Sequence, residues 1–136
     1  MGHSAYAASK WAVVAISEGL YGQLQQRGST VGVSCLCPGW VNTKIAESTR
    51  NRPEWAAPDA LVEPSDEAEA AMAFVRDQLA SGRPAEEVAD MVHDAILDGK
   101  FWIFTDKRMV ELLRGRYDAI LNDHNPQPGP LLAGDD

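Results

Sequence analysis

The sequence predicts an α/β fold with a parallel sheet, and three observations carry the prediction. A long run of helix formers without proline leads through a glycine into a short segment of apolar and small residues. That segment, Val31-Gly32-Val33-Ser34-Cys35-Leu36-Cys37, does not alternate between apolar and polar positions, as expected of a strand covered on both faces. Pro38 and Gly39 then stop the strand and open a long irregular stretch, placed where open α/β sheets hold their ligands.

The helix is expected over about Ala5 to Gln26, with Gly28 ending it. Its centre, Trp11-Ala12-Val13-Val14-Ala15-Ile16, is apolar all round, which requires cover on both faces. Gly19 and Gly22 would let a neighbour approach closely. After the strand the chain runs irregularly to about Pro64, with a short helix over Lys44 to Thr49 and prolines at 53, 58 and 64. A loop of that length is uncommon unless it serves a function or moves. Asp66 with Glu69 reads as a capping box for a helix to about Ser81, ended by Gly82. Pro84 suits the first turn of the next helix, whose Val88, Met91, Val92, Ala95 and Ile96 form an apolar stripe. Phe101-Trp102-Ile103-Phe104-Thr105 reads as a short core strand. A last amphipathic helix turns Met109, Leu112, Leu113, Tyr117, Ile120 and Leu121 inward and leaves its Lys and Arg residues in solvent. The composition past Asn122 is that of a flexible tail, so the domain is placed at 1–121 and the tail at 122–136. Two nonadjacent parallel strands cannot shelter four helices, because a stable sheet needs about three strands or more. A piece of a larger α/β protein, or a partner-dependent one, is therefore expected.

Composition narrows the function classes. The 136 residues are 45% hydrophobic and 24% charged, which is globular. Twenty acidic against twelve basic side chains leave a formal charge of -8, arguing against nucleic acid or an anionic membrane as partner. Residues 1–52 hold five basic and two acidic residues, so any site for an anionic ligand belongs there. No run of 18 apolar residues offers a membrane span, and Met1-Gly2-His3-Ser4 lacks the features of a secretory signal, so a cytoplasmic location is expected. Cys35 and Cys37 read as buried free thiols, and His3, His93 and His124 share no ligand spacing, so no metal site is expected.

One pair of residues suggests chemistry. Tyr6 and Lys10 lie four apart on a helix and hence on one face. A cation beside a phenol favours the phenolate, a physical route to proton transfer, although the same spacing also occurs in ordinary exposed pairs.

The run Tyr6-x-x-x-Lys10, the small-residue helix, and Val33-Ser34-Cys35-Leu36-Cys37-Pro38-Gly39-Trp40-Val41-Asn42-Thr43 together resemble the second half of the short-chain dehydrogenase/reductase family. The match is strongest over residues 4 to 50, with 28 residues between Lys10 and Gly39. The resemblance implies an NAD- or NADP-dependent oxidoreductase acting on a small carbonyl or alcohol. It makes Tyr6 the general acid or base and gives Lys10 two tasks, assisting Tyr6 and binding the nicotinamide ribose. It places Pro38 and Gly39 along the nicotinamide ring, the Val41 backbone at its carboxamide and the Thr43 hydroxyl at the phosphates. Trp40 falls where substrate would be touched, as does Trp55, and residues 46–64 match the substrate loop. The family's Gly-rich phosphate turn, its adenosine selector, and its catalytic serine and asparagine have no counterpart here. The fold implied is thus a partial Rossmann-like (doubly wound) one lacking the N-terminal nucleotide-binding half. A homo-oligomer or the missing half is the expected partner. The rival expectation is a nonenzymatic interaction or structural subunit that keeps the family's oligomerisation helix.

Overall fold

A computed structural model describes residues 3–53, 55 and 65–126. Pro58, Pro64 and the tail beyond residue 126 lie outside the described residues. The chain divides into two units, Met1–Thr105 and Asp106–Asp136.

In the first unit, helix α1 spans His3–Gln26 and ends as its sequence requires. Gly28 adopts φ +63°, its N–H donates to Gln25 O at 3.0 Å, and Ser29 N–H reaches back to Leu24 O at 3.0 Å. These bonds satisfy the last carbonyls of the helix through a left-handed residue that glycine takes without a Cβ penalty. The expected burial of both faces is not found. Trp11, Val13, Ile16 and Leu20 are all exposed, and the helix meets the sheet region through Tyr21, edge to face with Phe101 at 5.2 Å. The described strands present too little apolar surface to cover a 24-residue helix.

Strand β1, Cys35–Cys37, pairs in parallel with β4, Trp102–Phe104, in the register Cys35↔Trp102, Leu36↔Ile103, Cys37↔Phe104. The two strands are adjacent, contrary to expectation, and β1 starts at Cys35 rather than Val31 because its partner supplies a ladder only three residues long. A second parallel pair, absent from the sequence reading, joins β2, Val41–Asn42, to β3, Arg83–Pro84. Among the described residues each sheet is two-stranded and leaves β1 and β4 with open edges, and the expected cover on both faces fails at Leu36 and Trp102, which are exposed. Trp102 instead stacks on Phe104 at 5.8 Å.

Helix α2, Asp66–Ala80, is capped by Ser65, whose Oγ accepts from Ala68 N–H at 3.3 Å. The cap therefore lies one residue before the expected box, and the position reciprocal to it is an alanine. Asp66, Glu67 and Glu69 still favour the positive end of the helix dipole. Helix α3, Ala85–Leu97, starts just after Pro84, which takes the cap position and a place in β3. Of its stripe Val88 and Ala95 are buried, Met91 and Val92 are half-buried, and Ile96 is exposed. Val88 and Ala95, with Cys35, Leu79 and Ile103, make up the buried apolar core among the described residues.

In the second unit, α4 spans Lys107–Leu121. Asp106 caps it, accepting from Arg108 N–H at 2.9 Å and from the Arg108 guanidinium at 2.7 Å. No residue of α4 is buried, and Leu112, Tyr117, Ile120 and Leu121, expected inward, are exposed. Among the described residues, its own unit offers no second element to bury them. No helix among the described residues is long and apolar enough to cross a membrane.

Candidate active site

The Ala-rich first turns of α1 carry Tyr6 and Lys10 on one face, as their spacing requires. Lys10 Nζ lies over the Tyr6 ring, 5.1 Å from its centroid, a cation–π contact that holds the ammonium beside the phenol. Ser9 Oγ donates to Tyr6 O at 2.7 Å, tying this turn to itself. The Tyr6 side is open, with 60% of the residue exposed, so a reactant can reach the phenol without displacing protein.

The second group of site residues, Pro38 to Thr43, leaves the carboxyl end of β1 and is held from several directions. Gly39 N–H donates to Thr105 Oγ1 at 2.9 Å, and Thr105 follows directly on β4. Trp40 O accepts from Arg83 N–H at 3.0 Å, continuing into the pairing of Val41 with Arg83. Asn42 Nδ2 donates to Ala80 O at 3.4 Å. Gly82 passes so close that a Cβ there would lie 2.8 Å from both Trp40 C and Trp40 O. The Trp40 ring meets Phe74 of α2 edge to face at 6.5 Å. Thr43 is exposed, Gly39, Trp40 and Val41 are half-buried, and Pro38 is exposed. A 3₁₀ segment, Lys44–Asn51, follows, close to the short helix expected there, and Arg50 Nη1 donates to Lys44 O at 2.8 Å. Trp55 stands in solvent, 88% exposed.

The structure thus pairs Tyr6 with Lys10 and fixes Pro38 to Thr43 as one turn. Among the described residues no hydrogen bond joins the two groups. Sequence reasoning missed Thr105, Arg83, Phe74 and the close passage of Gly82. Thr105 read as the end of a strand and Gly82 as a helix stop, and neither reading carried a signal for a partner so far along the chain.

Cys35 is buried and Cys37 half-buried, both as free thiols. Burial, reinforced by the charge and hydrogen bond of Cys35, pushes the Cys37 thiol up to about 11, which keeps it protonated and unreactive near neutrality. No group of three His, Cys, Asp or Glu residues able to hold a metal ion occurs among the described residues.

Known proteins resemble this arrangement. A family model described as short chain dehydrogenase matches residues 1–54. A CLA biosynthesis dehydrogenase/reductase of Lactiplantibacillus plantarum is 28% identical over 126 residues, covering 92% of this chain and 44% of that protein. A 1-deoxy-11-beta-hydroxypentalenate dehydrogenase of Streptomyces arenae is 32% identical over 133 residues, 95% of this chain and 38% of its own length. The crystal structure of a short chain dehydrogenase/reductase from Burkholderia phymatum in complex with NAD superposes with a TM-score of 0.81 at 36% identity, covering 91% of this chain and 44% of that one. The chain therefore spans less than half the length of these relatives.

Proposed function

The chain belongs to the short-chain dehydrogenase/reductase family of oxidoreductases, and from that premise we propose that its residues serve hydride transfer between NAD or NADP and a small carbonyl or alcohol. The observation that carries the proposal is the Lys10 ammonium held over the Tyr6 ring on an open helix face. Its neighbour by sequence pattern is a fixed turn beyond the carboxyl end of a parallel strand, where ligands of open α/β sheets bind.

The donor chemistry fits the nicotinamide end of such a cofactor. Lys10 and Thr43 are both exposed, and offer an ammonium and a hydroxyl to ribose and phosphate oxygens. Pro38 and Gly39 would border the ring, and the Val41 backbone would meet the carboxamide. The cofactor supplies the hydride when bound. Tyr6 Oη gives a proton to the substrate oxygen during reduction and takes it back during oxidation, with the Lys10 ammonium beside the ring. Trp40, held by Phe74, covers the substrate side of the turn. Bringing a carbonyl carbon and the ring to reacting distance beside this proton source is the main task of such a site. The small-molecule substrate, the cytoplasmic setting and a partner supplying the rest of the fold belong to the same reading.

Turnover by an enzyme containing this segment tests it. Tyr6→Phe deletes only a hydroxyl and is expected to lower turnover by about 100-fold or more, within the usual contribution of an acid–base group. Turnover within about threefold of the parent refutes the assignment. A second reading, an interaction subunit without catalysis, draws on the exposed apolar side chains of α1, and it predicts that Tyr6→Phe changes nothing while substitutions at Trp11 or Ile16 abolish association.

A further inference from the structure

We propose that Thr105 is a positioning residue for the Pro38–Thr43 turn, acting through the Gly39 amide; the proposal rests on the reading of that turn as the nicotinamide-facing one. Thr105 is 5% exposed, the one buried polar side chain among the described residues, and its Oγ1 accepts the Gly39 N–H at 2.9 Å across 66 residues of sequence. A buried hydroxyl must be paired, and so must an amide facing it, so this bond is costly to break on either side.

The position of the bond gives it a function. β1 and β4 run parallel and in register to Cys37↔Phe104, so the two chains leave the sheet side by side. Gly39 lies two residues past one strand and Thr105 one residue past the other. The hydroxyl therefore extends the ladder by one bond beyond the point where the backbone ladder stops. Without it the chain could diverge at Pro38, since proline offers no N–H of its own. The opposite side of the turn is already restrained at Trp40 by Arg83 and by the contact of Gly82. Thr105 supplies the restraint nearest the strand end and decides where Val41 and Thr43 are presented. Valine would fill the same space without an acceptor. Serine would keep the acceptor and lose only a methyl group.

The test compares Thr105→Val with Thr105→Ser in the full chain, by amide hydrogen exchange at Gly39 and at Cys35. Thr105→Val is expected to speed Gly39 exchange by about tenfold, the equivalent of a typical hydrogen bond, while the Cys35 amide, bonded to Phe101 O, keeps its protection. Thr105→Ser is expected to restore Gly39 to within about threefold of the parent. Gly39 exchange unchanged in Thr105→Val overturns the proposal, as does Gly39 exchange freed in Thr105→Ser with Cys35 still protected. The serine comparison stands if the valine variant fails to fold. An enzyme containing this segment judges the other reading separately: a cofactor KM left unchanged by Thr43→Ala there refutes the nicotinamide-facing assignment, while Gly39 exchange in the full chain still decides the role of Thr105.

Discussion

Replacing Gly82 by alanine sets a methyl carbon 2.8 Å from the carbonyl carbon and oxygen of Trp40 and 3.0 Å from Val41 N. All three are backbone atoms, so no side chain can swing away. Ordinary carbon contacts lie at about 3.5–4.0 Å, so one of the two backbones must retreat by roughly 0.7 Å or more. That retreat stretches the 3.0 Å bond from Arg83 N–H to Trp40 O beyond useful length and loosens the pairing of β2 with β3. Overpacking costs about 1–3 kcal/mol, and a lost hydrogen bond about 1 kcal/mol. The stiffer unfolded chain returns roughly 0.4–1 kcal/mol. The net expectation is a loss of about 2 kcal/mol, with Arg83 amide exchange accelerated by about tenfold or more. Gly115, inside α4 with open space around its Cβ position, is the matched control. There the same change should stabilise the helix by about 1 kcal/mol and leave Arg83 exchange alone. Urea denaturation and amide exchange on both variants decide the matter. A Gly82→Ala chain with the parent's midpoint and the parent's Arg83 exchange rate would refute the reasoning, because it would mean the two backbones are free to separate.

Three further outcomes follow from the structure. Calorimetric titration of the 136-residue chain with NAD or NADP should show no saturation at millimolar concentration, since Lys10 and Thr43 cannot by themselves hold adenosine and pyrophosphate; submillimolar binding would contradict this. With Trp11, Val13, Ile16 and Leu20 exposed along α1, sedimentation at micromolar concentration should show self-association or a partly unfolded chain, and a compact 14.8 kDa monomer with cooperative unfolding would count against it. The Cys37 thiol, pushed from an ordinary 9.0 up to about 11, should react slowly with iodoacetamide near neutrality and speed up as pH climbs toward 11. Its folded form holds the proton more tightly than its unfolded form. The stability it contributes is therefore complete below about pH 9 and is lost as pH rises toward 11, a loss that denaturation midpoints in a Cys37→Ala control should not show.

What could be read from the sequence was what depends on neighbours in the chain. Helix α1, the stop at Gly28, the pairing of Tyr6 with Lys10 and the order of elements follow from spacing and turn chemistry within a few residues. The restraints on Pro38 to Thr43 do not, because they come from Ala80, Gly82, Arg83 and Thr105, whose local sequence looks like helix ends and a strand end. Burial was misjudged for a related reason. An apolar stripe shows which side chains would be buried if a cover existed, and Leu36, Trp102 and Leu112 are exposed where the described residues supply none. Ser65 takes the cap in place of Asp66 because Asp66 is already the first residue of the helix, which leaves the Ser65 hydroxyl to accept from the Ala68 N–H.

The parallel pairings set an order of events during synthesis. Pro38 to Thr43 leave the ribosome well before any of their fixing partners, and Thr105 follows Gly39 by 66 residues. At about 5–20 residues per second that interval is roughly 3–13 s. Loops of this length close slowly compared with a helix turn, so α1 can present Tyr6 and Lys10 long before the turn is set. A chain truncated between Arg83 and Thr105 would hold one restraint without the other, and a nascent-chain series cut at successive positions beyond Arg83 would see Gly39 gain protection only in chains long enough for Thr105 to have left the ribosome.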